Sequence, residues 1–163
     1  MQRIFAADIG GTNARFALFA EHEGSLVLTV AVWVKSADLR TAEDLLQIMQ
    51  RQLQCPLAEG DMLVIALAGP THGLRGKLTN GQLQVDLGGV AQQYGLSCCL
   101  LINDFTAQAF ATLTPAGAGA TVVRGRALPD TESPQTKAVF GAGTGLGAAS
   151  LVCCGGEPGI RRW

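Results

Sequence analysis

The chain has 163 residues, 48% of them hydrophobic and only 15% charged, with 21 glycines and a formal net charge of −1. That length and apolar share describe a folded chain with a real core rather than a disordered one, and 12 Lys plus Arg against 13 Asp plus Glu, with no basic stripe, leave no footprint for a nucleic-acid backbone. No apolar run reaches the roughly 18 residues of a membrane span and no basic segment leads into an apolar stretch with a cleavage site, so a cytoplasmic protein with a small or nucleotide-sized partner is expected.

Arg3 to Ala7 reads as a strand running into Asp8, the segment Ile9-Gly10-Gly11-Thr12-Asn13 as a glycine turn, and Ala14 to Ala20 as a second strand. Leu26 to Val34, rich in Val and Leu with Trp33 near its end, makes a third after the turn at Gly24. Thr41 to Leu53 is predicted helical, with Thr41 as N-cap, Glu43 and Asp44 in the first turn, and Leu45, Ile48, Met49 and Leu53 on one apolar stripe. Pro56 ends it. Met62 to Ala68 is a continuous apolar run of the kind buried in the middle of a sheet, and Gly69-Pro70 marks its exit.

Thr71 to Leu83 is short, polar and glycine-punctuated, the pattern of a small hairpin insertion; Asp86 is expected to cap a weak helix reaching Tyr94. Cys98 to Ile102 is a further buried strand, followed by Asn103-Asp104 and an apolar helix from Phe105 to Leu113. The order βββαβαβα predicts an α/β layer arrangement. TPAGAGA, residues 114–120, has the small side chains of an interdomain linker. Beyond it come a short strand at Thr121 to Arg124, a polar Pro-containing stretch, a strand at Lys137 to Phe140, the loop GAGTGLG, and an apolar strand at Ala148 to Cys154. Two strand–glycine–strand units suggest an internal duplication of architecture.

The cysteines Cys55, Cys98, Cys99, Cys153 and Cys154 lack C-x-x-C spacing and are expected to be free thiols; His22 and His72 are too isolated for a metal site. Chemistry concentrates elsewhere. In Asp8-Ile9-Gly10-Gly11-Thr12-Asn13, two glycines let backbone N–H groups approach an anion, Thr12 and Asn13 add neutral donors, and Asp8 at the strand end could hold Mg²⁺ through water. It is a phosphate loop without a Walker lysine, unless it is only a G-G hairpin turn.

Gly141 to Gly147 follows a strand in the same way, although its GTGLGA also fits the dinucleotide fingerprint G-x-G-x-x-G/A, which requires a helix directly after the loop. Asp104 lies beyond the carboxyl end of a buried strand, where open α/β sheets build their sites, and suits a general base toward a sugar hydroxyl, with Asn103 orienting the sugar. An Asn-Asp pair there also serves as an ordinary helix cap.

Taken together and in order, DIGGTNARFAL, LINDFTAQA and VFGAGTGLGAASLV resemble the N-terminal half of the bacterial glucokinase family of the actin/hexokinase superfamily, thinly over nearly the whole chain. The resemblance implies a ribonuclease-H-like α/β domain with a mixed five-stranded sheet, residues 1–113, a linker at 114–136, and the first strands of a second similar domain at 137–163. It implies transfer of the ATP γ-phosphoryl group to the 6-hydroxyl of glucose, the entry to glycolysis, with ATP–Mg²⁺ and glucose bound between closing domains. Gly10, Gly11, Thr12 and Asn13 would serve one phosphate loop and Gly143, Thr144 and Gly145 the other, Asp8 would hold Mg²⁺ through water, Asn103 and Asp104 would bind glucose, and Asp104 would act as base.

The family's Thr-Asn segment matches Thr79-Asn80, which makes Asn80 a sugar-binding candidate, but Leu83 stands where an aromatic usually follows. The family's Glu-Gly-Gly-His segment is absent. Gly155-Gly156-Glu157 shares letters with it and lacks the histidine. The alternative reading is therefore a non-catalytic sugar- or nucleotide-binding module, and a chain holding only two strands of a second domain is expected to leave Val139, Phe140, Leu146, Leu151 and Val152 without their sheet and to form a homo-oligomer.

Overall fold

Period-two alternation builds the first sheet. In strand β1 (Arg3–Ile9) the side chains of Phe5, Ala7 and Ile9 are buried, and in β2 (Asn13–His22) those of Ala14, Phe16 and Leu18 match them on the same face. The computed structural model describes residues 2–114, 119, 121, 123, 136–142, 146–154 and 157–162, with side chains described through residue 152. Strands β1 and β2 pair antiparallel, β3 (Ser25–Lys35) pairs antiparallel with β2, and β4 (Met62–Leu67) lies parallel to β1.

Later in the chain, β8 (Cys98–Asn103) adds parallel to β4, which completes a mixed five-stranded sheet of order β3-β2-β1-β4-β8. The expected sheet is present, and each expected strand in it runs a residue or more longer or shorter at its ends. Three further strands, β5 (Thr71–His72), β6 (Arg75–Lys77) and β7 (Gln84–Asp86), form a separate small sheet where a single hairpin was expected.

Helix α1 (Ala42–Leu53) covers the apolar face of the large sheet with Leu45, Leu46, Met49 and Leu53. Leu45 and Met49 are fully buried, and each such side chain contributes about 1.5–3 kcal/mol relative to exposure. The cap is reciprocal: the Asp44 N–H donates to Thr41 Oγ1 at 3.1 Å and the Thr41 N–H to Asp44 Oδ2 at 3.0 Å. Gln54, in the left-handed region at φ 51°, ends the helix.

Asp86 does not cap the next helix. It ends β7, where the Gly88 N–H at 2.9 Å and then Arg75 Nε at 2.9 Å hold its carboxyl below the usual carboxylate range. Helix α2 (Val90–Tyr94) starts later, after Gly89 in a left-handed conformation at φ 82°. The acceptor that would have capped the helix is engaged in a turn and an ion pair.

At the amino ends of β1 and β4 a charged pair is folded inward. Arg3 Nε donates to Asp61 Oδ1 at 2.8 Å and Arg3 Nη2 to Asp61 Oδ2 at 2.6 Å, a bidentate geometry. The hydrogen bond to Asp61 raises the Arg3 pKa further, against desolvation. Asp61 is buried and its Oδ2 also accepts the Ala58 N–H at 2.8 Å, while the Ser97 N–H donates to the Asp61 carbonyl at 2.8 Å. Of the thiols, Cys55, Cys98 and Cys99 are free, and burial pushes Cys99 up; Cys153 and Cys154 have side chains outside those described.

The chain divides into two compact units, Met1–Asp104 and Phe105–Trp163. In the second, β9 (Lys137–Ala142), β10 (Leu146–Cys154) and β11 (Glu157–Arg162) form an antiparallel sheet of order β11-β10-β9, a meander like that of β1 to β3. The strand at β11 was not anticipated. Helix α3 (Asp104–Ala111) supplies Phe105 and Ala109 to a cluster with Val139, Ala149 and Leu151, so Val139 and Leu151 are covered while Phe140 and Leu146 stay exposed.

The Phe105 ring lies against Gly147 and Gly141, which pair across β10 and β9, and a methyl at Gly147 would collide with it. The linker and the strand expected at 121–124 fall largely outside the described residues.

Asp61→Ala removes the two carboxylate acceptors of the Arg3 guanidinium, leaving it the Pro56 carbonyl and Cys55 Sγ, and should lower the unfolding free energy by about 2–3 kcal/mol, below the roughly 3–5 kcal/mol of a fully buried pair because Arg3 also keeps contact with water. Urea denaturation measures it. An unchanged midpoint would mean that the pair contributes nothing.

Candidate functional site

Three parallel strands end level with one another. Ile9 of β1 is registered with Leu67 of β4, and Leu67 with Asn103 of β8. The residues that follow, Gly10, Ala68-Gly69 and Asp104, therefore emerge at one edge of the sheet, the carboxyl edge at which open α/β sheets bind ligands. With strands about 4.8 Å apart, Ile9 and Asn103 stand about 10 Å from each other across that edge.

The glycine loop between β1 and β2 is closed by the Gly10 N–H donating to the Asn13 carbonyl at 3.1 Å. Gly10 does not lie in the left-handed region. Ser36, first residue of a short 3-10 turn (Ser36–Asp38) after β3, braces the loop from outside: its hydroxyl donates to the Gly10 carbonyl at 2.7 Å and its N–H to the Thr12 carbonyl at 3.2 Å. Ser36 is buried, whereas Thr12 and Asn13 are exposed. Lys35 Nζ donates to Asn13 Oδ1 at 3.0 Å. Neither Lys35 nor Ser36 was singled out in the sequence, because a Lys-Ser pair between a strand and a turn carries no motif.

Asp8 sits one residue before the end of β1, on the face opposite the core, opposite Arg15 in the β1–β2 register. Its carboxylate is about half exposed and 3.5 Å from Arg15 Nη1, a loose pair. Among the described residues no group of three or more His, Cys, Asp or Glu gathers as a metal site. A single exposed carboxylate at the strand end is the donor set that suits Mg²⁺ retaining its waters.

On the other side of the edge, Asn103 Nδ2 donates to Asp104 Oδ1 at 2.9 Å and to the Gly69 carbonyl at 3.2 Å. Asn103 is half-buried, and so is Asp104, the first residue of α3. The amide thus ties the acidic group to the exit of β4. Gly69 is required there, since a methyl would collide with the Lys77 carbonyl oxygen and crowd the Thr79 N–H. The Thr79 N–H donates to the Ala68 carbonyl at 3.1 Å, which anchors the β6–β7 turn at this edge; Asn80, the next residue, is exposed on that turn. Leu83, where an aromatic was expected by resemblance, is fully buried in the core.

Gly143, Thr144 and Gly145 lie outside the described residues. The flanking strands are described, and they decide one question. Strand β10 begins at Leu146 and pairs antiparallel with β9, so the loop is followed by a strand and the dinucleotide fingerprint has no helix to open. Among the described residues no helix is long and apolar enough to cross a membrane.

A family model described as glucokinase matches residues 5–158. Glucokinases of Sinorhizobium medicae and of Campylobacter jejuni subsp. doylei are 35% and 34% identical to the chain over 149 residues, covering 91% of it. The chain spans 42% of the length of these relatives. The crystal structure of a glucokinase from an Antarctic psychrotroph matches 100% of the chain and 50% of its own length with a TM-score of 0.77 and 27% identity. A ROK family protein from Streptococcus pneumoniae, solved in complex with sucrose, shares the fold at TM-score 0.58 and 17% identity, covering 96% of this chain and 47% of its own. The architecture is the actin-like ATPase fold of these kinases.

Ser36→Ala deletes the hydroxyl that satisfies the Gly10 carbonyl and should destabilise the protein by about 1 kcal/mol. The local effect is more telling: amide hydrogens of Gly11 to Asn13 should exchange about fivefold faster. Unaltered exchange would show that Ser36 does not hold the loop.

Proposed function

The chain belongs to the glucokinase family, and on that premise we propose that its carboxyl edge is the small-domain side of a sugar kinase site, at which the γ-phosphoryl group of ATP passes to the 6-hydroxyl of glucose. The observation that carries this reading is the flush ending of β1, β4 and β8, with the glycine loop on one side and the Asn103–Asp104 pair about 10 Å away on the other. Phosphoryl transfer needs little covalent chemistry from a protein. It needs two reactants held in line, negative charge stabilised on the phosphates, and a group to take the hydroxyl proton.

Each requirement has a candidate. In the Gly10, Gly11, Thr12 and Asn13 loop the Gly10 N–H closes the turn on the Asn13 carbonyl, and the backbone N–H groups beyond it, from Gly11 onward, are the ones offered to the phosphates, with Gly143, Thr144 and Gly145 proposed as a second loop. Asn103, Asp104 and Asn80 hold the sugar. The Asp104 carboxylate accepts the proton of the attacking hydroxyl, and the Asn103 amide donating to its Oδ1 fixes the plane in which it does so. Asp8 would hold Mg²⁺ through water, and when bound that ion supplies neutralisation of the phosphate charge. The glucokinase relatives support ATP-dependent transfer as the class of reaction, and the choice of glucose and of its 6-hydroxyl is the finer part of the proposal.

In a protein carrying this chain together with the rest of the family's length, Asp104→Asn should lower kcat for glucose 6-phosphate formation by about 10²- to 10⁴-fold, the range for a lost general base. Glucose affinity, read by calorimetry, should change little. Near-native turnover in that variant would remove Asp104 from the role of base, and failure of glucose to bind the parent protein would remove the sugar from the proposal.

A further inference from the structure

Anions held only by neutral donors are held weakly in water, and the glycine loop itself carries no cation: Gly10, Gly11, Thr12 and Asn13 are neutral, Asp8 is acidic, and Arg15 is directed toward Asp8. One cation does reach the loop, from the edge strand. Lys35 is the last residue of β3 and is paired in register with Asn13, the first of β2, so the two side chains share a face. Its ammonium donates to Asn13 Oδ1 at 3.0 Å and is paired with no carboxylate among the described residues. Of its three N–H donors, one is used in that bond.

We propose that Lys35 is the phosphate-loop cation of this protein, a charge delivered from β3 that contacts the terminal phosphates of a nucleoside triphosphate seated on the Gly10–Asn13 loop. The inference rests on the phosphate-loop reading and adds to it a residue outside the motif. Two further features support it. The Asn13 side-chain Oδ1 accepts from Lys35, so the acceptor end of that amide is engaged and its N–H₂ end is the end left to donate to an anion. The carbonyls of Gly10 and Thr12, which would repel an anion, are drawn to Ser36. Lys35 and Ser36 are consecutive, so one short segment orients the loop's acceptors outward and places a positive charge beside its donors.

The probe is inorganic tripolyphosphate, titrated calorimetrically against the chain without metal at several salt concentrations. Lys35→Met should weaken binding about ten- to a hundredfold, on the scale of a charge-assisted hydrogen bond, and flatten the salt dependence; Lys35→Arg should retain most of it. Arg51→Met, which removes an exposed cation near the far end of α1, is the control and should bind as the parent does. Circular dichroism confirms that each variant is folded. Equal affinity of Lys35→Met and the parent would overturn the assignment while leaving the loop as a phosphate site. Absence of tripolyphosphate binding by the parent chain would overturn the loop reading, and Lys35 with it.

Discussion

The bidentate Arg3–Asp61 pair fixes where β1 stands against β4, and the site at the opposite end of the sheet depends on that register. Arg3 opens β1 and Asp61 immediately precedes β4, so the guanidinium reaching two carboxylate oxygens at 2.6 and 2.8 Å sets Ile4 beside Met62. A slip of one residue would break both bonds and turn Phe5, Ala7 and Ile9 out of the core. Ser97, bonded to the Asp61 and Gly60 carbonyls, extends the same lock to β8. Three strands that start from one anchor, and run six or seven residues, end together about 20 Å away.

That flush ending turns distant sequence into neighbouring chemistry. Gly10, Gly69 and Asp104 are far apart along the chain and share an edge only because Ile9, Leu67 and Asn103 are in register. Close packing then fixes the details: Gly69 has no room for a side chain against the Lys77 carbonyl, and its own carbonyl takes the Asn103 amide that also holds Asp104. A protein interior this dense transmits a small displacement of one strand end to the others. The positions most sensitive to substitution at this edge are therefore structural glycines and amides as much as the acid itself.

Much of this was legible from the letters. The strand–glycine–strand opening, the capped helix after Thr41 and the buried strand before Asn103 each carry a local signal: a weak alternation running into a glycine turn, a Thr N-cap with acidic residues in the first turn, a continuous apolar run. The errors have physical causes. Asp86 looks like a cap because acidic residues accept helix N–H groups, but a nearby Arg75 on the paired strand and the Gly88 N–H compete for the same oxygens. Leu46 escaped the predicted apolar stripe because the helix buries a broader face than one stripe against the sheet. Lys35 and Ser36 were invisible for a different reason, since their importance comes from a cross-strand pairing that no local pattern encodes.

That pairing depends in turn on one extra residue in the edge strand. Counting back from the turn, His22 pairs with Ser25, Glu21 with Leu26 and Phe19 with Leu28, yet Leu18 pairs with Val30, so Thr29 is bulged out of the ladder. Had the turn's register continued, Leu18 would face Thr29, Phe16 would face Ala31, and Ala14 would face Trp33. The core side of β3 would then hold a polar residue and an indole in place of Val30, Val32 and Val34, which pack against the core as observed. Asn13 would meet Val34, and Lys35 would lie past the end of the ladder. The bulge therefore satisfies two demands at once: it returns the β-branched residues to the core, and it brings Lys35 opposite Asn13 with Ser36 beneath the glycine loop. The apolar residues on the turn side of the bulge, Leu26, Val27 and Leu28, remain exposed, so the requirement for register acts on the half of β3 that leads to the site.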